Sequence, residues 1–479
     1  MDISLLIVLA IFVPVTGAFL LPLLGRLSED LRNYCALAFV LVSLVCAFMM
    51  VPSVLSGVTT TLVHQLPFGF NFILTADMLA VFMAIVSSLI GSVIVLYSFD
   101  YIEHYDNRDE YYMMVVLFLG SMMGIVFSGN LIFLYVFWEI TAIASWRLIG
   151  FFREKNYVLK ADKSFLVTVF GAFLMLIGFI MIFQETGSFD LLTIKEVLKV
   201  HPLSNLAVAL ILFGIFSKSA TLPFHTWLPD AGVAPSPVTA LLHAAVLVKI
   251  GVYVYARLFI VTIPINEIWH TVIPIVAASS AIVSAGAALI ETDIKRIIAY
   301  STISQIGFIF LGLSVGGEIG IGGGILYILM HGIAKGGLFL CAGIVEQKTH
   351  IKDITKLGGL IYTMPITAVS FLLCSFSVMG IPPFGGFWSK YMVISGAVST
   401  RQFFIASVFI AGAFLTLIYL FRLFMLVFLG EPKTASPKEG SPVMVSSVAF
   451  LAFLSLASGI FISYISGPVQ LTVKQMLGI

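Results

Sequence analysis

At 479 residues, 60% hydrophobic and only 10% charged, with a mean hydropathy of +1.10, the chain is not a water-soluble globular protein, in which about a quarter of residues are charged. A net charge of +1, with neither a basic nor an acidic tail, excludes a charge-built nucleic-acid surface. Cys35, Cys46, Cys341 and Cys374 all lie inside apolar runs without metal-ligand spacing, so they read as packing residues and no metal or cofactor is expected in this chain.

The first 25 residues, MDISLLIVLAIFVPVTGAFLLPLLG, lack a basic lead and are too long an apolar run for a cleaved signal, so they read as a retained span. Polar and Gly/Pro punctuation then divides the chain into about fourteen spans. Their cores are 3–24, 31–52, 76–98, 112–128, 131–150, 164–184, 205–227, 236–259, 268–290, 297–315, 321–345, 363–386, 403–429 and 443–466. The expected fold is therefore an all-α membrane protein. Segment 188–201 is charged and amphipathic and is expected at the surface before the seventh span.

Four lysines interrupt these spans: Lys218, Lys249, Lys335 and Lys390. A lysine at a helix centre costs roughly 2.5–3.5 kcal/mol on insertion scales and tends to mark an ion path. Of the other 21 Lys and Arg, sixteen fall on odd-numbered connections; Lys195, Lys199, Arg257, Arg401 and Lys474 fall on even ones or the C-terminus. The positive-inside bias places the odd connections in the cytoplasm and both termini outside.

An internal repeat adds direction. Phe216-Ser217 with Pro223-Phe224 recurs as Phe376-Ser377 with Pro383-Phe384, 160 residues on, and Trp227 and Trp388 follow the two copies. These are the seventh and twelfth spans, so the copies cross in opposite senses. Proline breaks a helix, and paired breaks in inverted repeats point to a transport site near the midplane.

Glu139 lies near the centre of the fifth span and Lys218 five residues before Pro223. Lys249 lies mid-span in the eighth, while His331 and Lys335, four apart, share a helix face in the eleventh. Lys390 follows the second break, toward the outside. Lysine suits such a file because its protonation responds to desolvation and neighbouring charge, whereas arginine stays charged. Bland alternatives exist for each: a Glu139–Lys218 structural pair, a snorkelling Lys390, helix-contact roles for His243 and His331, a capping His225, and interface charges at Asp77 and Arg147. The Gly clusters 322–324, 336–337 and 385–386 read as sites of close helix approach or local unwinding. With no strand expected before any span, a dinucleotide loop is not indicated.

Four stretches carry a family resemblance: PFHTWLPDAGVAPSPVTALLHAAVLVKIGVY (223–253), ETDIKRIIAYSTISQIGF (291–308), HGIAKGGLFL and FSVMGIPPFGGFWSKY. From about residue 70 to 430 the chain resembles the antiporter-like subunits of respiratory complex I. That family includes the large subunits of multisubunit cation/proton (Mrp-type) antiporters and of membrane-bound hydrogenase complexes. The resemblance implies fourteen helices with two inverted five-helix repeats, each containing a broken helix. The division is 1–99 (three helices), 100–260 (first repeat, broken near 205–227), 261–430 (second repeat, broken near 363–397) and 431–479 (C-terminal helix).

It also implies ion-translocation roles for Glu139, Lys218, Lys249, His331, Lys335 and Lys390; His243 and His225 are further relay candidates read from the residues alone. Two departures stand out. The chain ends about a dozen residues after its last span, so the long lateral helix of one complex I subunit is not expected. ASWRLIGF after Glu139 looks closer to the hydrogenase and sulfur-reductase branch. The expectation is a proton- or sodium-translocating subunit of a redox-driven complex in a prokaryotic cell membrane. Its partners would be other membrane subunits and peripheral redox subunits, and no redox centre lies in this chain. The alternative is a subunit of a multisubunit cation/proton antiporter without a redox partner.

Overall fold

The computed structural model describes residues 2–67, 71–199, 202–433 and 438–479. Long apolar runs give α1 (Ile3–Leu27), α2 (Glu29–Leu55), α3 (Met78–Tyr101), α4 (Arg108–Phe127), α5 (Leu131–Ile149) and α6 (Lys155–Thr186). Side-chain oxygens of Asp2, Ser28, Asp77 and Asn130 accept from the first free N–H groups of α1, α2, α3 and α5, which suits helix starts in a medium without water. The short amphipathic α7 (Leu191–Leu198) buries Leu191, Ile194 and Leu198, as the surface segment 188–201 implied; residues 200 and 201 lie outside the described residues.

The remaining elements are α8 (Asn205–Lys218), α9 (Ser236–Thr262), α10 (Trp269–Ile290), α11 (Ile294–Ser314), α12 (Glu318–Thr349), α13 (Pro365–Met379), α14 (Gly385–Ser399), α15 (Phe403–Phe428), α16 (Pro442–Ile460) and α17 (Ile462–Leu477). Among the described residues, twelve helices are long and apolar enough to cross a membrane, and α8 and α13 are shorter apolar helices. Four long helices, α9 to α12, separate these two interrupted segments, which therefore run in opposite senses.

Contacts sort the connections onto two faces, as the odd–even reading requires. One face gathers Arg32–Asp109 (2.6 Å), Lys163–Asp230 (2.7 Å), Arg296 with both Asp230 and Glu291 (2.8 Å each) and Lys295–Glu346 (2.8 Å). The opposite face gathers Asn130 and Asn71 on Asp190 (2.5 and 3.1 Å), Gln475 on Thr59 (3.1 Å) and the Asp77–Arg257 pair.

Three sequence readings change. An antiparallel hairpin, β1 (Thr60–Gln65) and β2 (Asn71–Ala76), registers Thr60 with Ala76 and directly precedes α3, so one span does follow a strand. Asp77 alone joins β2 to α3, with no glycine-rich loop, so the conclusion against a dinucleotide site is unaffected. Arg257 and Lys295, counted as connection charges, are only 5% and 1% exposed; both lie inside helices and are tied to carboxylates. The glycines 322–324 and 336–337 sit in the unbroken 32-residue α12, so they serve close approach and not unwinding.

Candidate functional site

The two breaks share their local geometry. Ala220 and Gly380, 160 residues apart, both take left-handed backbone conformations (φ 53° and 82°), and both breaks carry a cis X-Pro peptide, Leu222–Pro223 and Pro382–Pro383. The first is braced by Trp227 Nε1 donating to Ser217 O (2.9 Å). At the second, Gly386 packs so closely on the Ser377 carbonyl that a Cβ would lie 1.8 Å from it.

Lys218 ends α8, fully buried. Its Nζ donates to Trp138 O (3.1 Å) and lies 5.2 Å from the Trp138 ring centroid. Glu139, the next residue on α5, is within electrostatic reach of Lys218. The direct pair considered from sequence is not formed. Among the described residues, no ion pair includes Glu139 or any of the four lysines. Among the described residues, Glu139 Oε1 has no hydrogen-bond partner.

The backbone of α9 explains where Lys249 goes. Leu241–Ala245 is a π-helical turn, and Val246 leaves helical geometry altogether (φ −131°, ψ −73°). An interruption of this kind frees carbonyls that must be satisfied inside a membrane protein. Ser87 Oγ takes Ala245 O (3.0 Å), and Lys249 Nζ donates to Ala244 O. The same Nζ lies against Gly332, where a Cβ would sit 2.3 Å from it.

Gly332 follows His331 on α12, so the break in α9 delivers Lys249 to the histidine. His331 is fully buried, both its ring nitrogens lack partners among the described residues, and it lies within electrostatic reach of Lys249, Lys335, His243 and Lys390. His243, on the π turn, likewise has two nitrogens without partners among the described residues and packs on Phe339 (centroids 4.4 Å).

One turn along α12, Lys335 Nζ donates to Ser301 Oγ (2.6 Å) and Ile298 O (3.0 Å). Here the structure adds residues that sequence reading missed. Tyr419 OH donates to Ser301 Oγ (3.0 Å), Gln305 Nε2 reaches Thr416 Oγ1 (3.2 Å) and Tyr419 OH (3.4 Å), and Tyr327 OH donates to Gln305 Oε1 (2.6 Å). This line runs toward Lys390, whose Nζ lies 4.6 Å from the Phe308 ring centroid and 5.9 Å from that of Tyr327, with no hydrogen-bond partner among the described residues. Such neutral polar residues barely alter hydropathy; only the spacing Ser301, Gln305 on one face of α11 hints at them.

His225 is placed apart from the file. It sits half-buried in the 3-10 turn Phe224–Thr226, within reach of Lys163 at the face of odd connections. Beside it, burial alone would raise the Asp230 carboxyl, but hydrogen bonds and charge from Lys163 and Arg296 outweigh that and hold it below the usual carboxylate range.

Buried lysines grouped around a histidine, inside a bundle with two matched helix breaks, define the chain as an antiporter-like membrane subunit. The family described as NADH:quinone oxidoreductase/Mrp antiporter, TM, matches residues 128–416, and the chain belongs to it. It is 34% identical over 490 residues to the Na(+)/H(+) antiporter subunit A1 of Staphylococcus haemolyticus (strain JCSC1435), covering 95% of this chain and 60% of that protein. Against the subunit A1 of Staphylococcus aureus the identity is 33% over 487 residues, with 95% and 61% covered. The chain thus spans about three fifths of the length of these curated relatives.

Its fold is that of a chain in the Mrp complex from Dietzia sp. DQ12-45-1b (TM-score 0.88, 24% identity, 99% and 98% covered). It is also that of a chain in the membrane-bound sulfane sulfur reductase, an archaeal respiratory membrane complex (TM-score 0.90, 24% identity, 98% and 97% covered). The family and the all-α membrane fold expected from sequence are borne out.

Proposed function

We propose that the chain moves protons, sodium ions or both as one membrane subunit of a larger complex. In this reading Glu139 and Lys218 couple the file to its driver, Lys249, His331 and Lys335 form the central relay, and Lys390 releases the ion outward. The observation that carries it is the fully buried His331, with two unpartnered nitrogens, within reach of three lysines that have no ion-paired carboxylate. A purely structural charge would be paired, because an unpaired buried charge is costly. His243 joins the relay from the π turn, and His225 stands at the cytoplasmic mouth.

The face of odd connections is taken as cytoplasmic and both termini as outside, in a prokaryotic plasma membrane, on the fifteen-to-four distribution of basic residues that remains once the buried Lys295 and Arg257 are set aside. A neighbouring membrane subunit is assigned to α5. There the half-buried Glu139 borders Val136 and Ile143, which are 45% and 49% exposed, and a carboxylate at the rim of a lipid-facing stripe is costly unless covered.

Two drivers fit this subunit. The curated relatives, named as Na(+)/H(+) antiporter subunits, favour an ion-gradient-driven complex. The fold shared with a respiratory reductase complex supports a redox-driven one, with the redox centres on partners. Mass spectrometry of the intact complex separates them by the presence or absence of Fe–S subunits. For transport itself, Glu139→Ala and Lys218→Ala are expected to leave the complex assembled while ion movement in inverted vesicles largely stops. Normal movement by both variants removes the coupling assignment.

A further inference from the structure

The face carrying the β1–β2 hairpin holds a cavity of about 180 Å³ lined by Asp77, Arg257, Lys195, Thr75, Thr262 and Gln475. Its floor is an ion pair. Arg257 Nη2 donates to Asp77 Oδ1 (2.8 Å), Nη1 donates to Oδ2, and both side chains are largely buried, with 6% and 13% exposed. Arg257 Nε donates in turn to Tyr253 OH (3.0 Å), and Tyr253 OH donates to Val126 O (2.5 Å). Lys249, Tyr253 and Arg257 follow at intervals of four on α9, so the cavity floor stands about 12 Å from the central lysine along the helix axis.

Although the Lys249 Nζ itself turns back to Ala244 O, Tyr253 and Arg257 form a polar line on the same helix between that lysine and the outer face. Its terminal link is the one side chain that does not give up its proton in proteins. The guanidinium is also held at both ends, by the carboxylate and the phenol, which keeps its bulk in the opening. Fixed arginines use this charge and bulk to exclude protons and cations from pores.

We propose that the Arg257–Asp77 pair is a seal. It closes the direct outward exit from Lys249 and so obliges an ion reaching the first half of the file to continue to Lys335 and Lys390. The inference rests on the transport reading above, and its test separates the two. The intact complex is reconstituted in liposomes, a pH gradient is imposed without any driving reaction, and its decay is followed with a pH-sensitive dye.

Asp77→Asn with Arg257→Gln strands no buried charge and keeps an oxygen for the α3 cap. This double variant is expected to assemble and to collapse the gradient several-fold faster than the unaltered complex. Adding Lys249→Met to it is expected to restore slow decay, because the leak passes through that lysine. Arg257→Lys, which retains the cation, is expected to stay tight. A double variant that holds the gradient as well as the unaltered complex overturns the seal, as does a leak that survives Lys249→Met. If Lys249→Met alone leaves driven transport intact, the relay assignment fails instead.

Discussion

Gly332 is fixed by its neighbour's charge and not by its own backbone. A methyl there would sit 2.3 Å from Lys249 Nζ and 2.6 Å from Ile90 Cδ1, so Gly332→Ala must push the amine away from His331. Displacements of this size at a reacting centre cost on the order of tenfold to a hundredfold, and that loss of transport is expected at normal membrane levels of the protein. Gly336→Ala, whose methyl would meet nothing closer than Leu451 Cδ1 at 3.3 Å, is the control and should transport nearly normally in the same vesicle assay.

The lysines themselves were legible in the sequence because a charge in an apolar run is anomalous wherever it lies. Ser301, Gln305, Tyr327 and Tyr419 were not, since neutral polar groups satisfied by one another leave no trace in composition. Arg257 and Asp77 were seen but misread. They sit near the ends of apolar runs, where an interface charge is the ordinary expectation, and only the packing reveals that they meet.

Among the elements, the breaks tie backbone conformation to stability in opposite directions. Gly380→Ala puts a Cβ on a left-handed residue (φ 82°) and is expected to cost about 1–2 kcal/mol, read as a lower melting temperature in detergent. Ala220→Gly relieves the same conformation at φ 53° but removes a fully buried methyl worth about 0.8 kcal/mol, so its melting temperature should barely move. A fall as large as that of Gly380→Ala contradicts the shared geometry of the two breaks.

The 160-residue offset made the breaks readable from sequence, because proline and glycine state their backbone needs locally. The π turn and the hairpin lack such a signature. LLHAA is ordinary helix-forming sequence, and its extra residue per turn comes from tertiary contacts with Ser87 and α12. The hairpin's strands, TTLVHQ and NFILTA, are short and sit between longer apolar runs that dominate any hydropathy window.

Over the molecule as a whole, charge is segregated. The face of odd connections is laced by ion pairs through Asp230, Glu291 and Glu346, which tie the segment after the first break to α6, α10, α11 and α12. Asp230 and Glu291 both have carboxyls held below their ordinary range. For each, burial opposes the effect, and hydrogen bonds from cationic or backbone donors exceed it.

A depressed folded-state value gives stability that is full above the unfolded value, near pH 4, and is lost as pH falls through the folded one. The expected result is that Asp230→Asn lowers the melting temperature at pH 7 and that its difference from the unaltered protein shrinks below about pH 4. A gap that persists unchanged into acid would mean that Asp230 acts through shape alone. The sorting of connections onto two faces was readable from the parity of basic residues, since it needs only counting. Which acid met which base was not, because the partners lie from 3 to 180 residues apart.

The π turn at Leu241–Ala245 has a consequence for the whole of α9 beyond it. One inserted residue turns everything downstream by about 100° relative to an uninterrupted helix. Lys249, Tyr253 and Arg257 all ride on that turned portion. The bearing of Lys249 toward His331 is therefore set by that one insertion, while Arg257 reaches Asp77 from a second π-helical segment, Ala256–Thr262. Removing the inserted residue would swing Lys249 and Tyr253 together and carry the start of the Arg257 segment with them, so the central amine and the outward stopper are indexed to each other by backbone register.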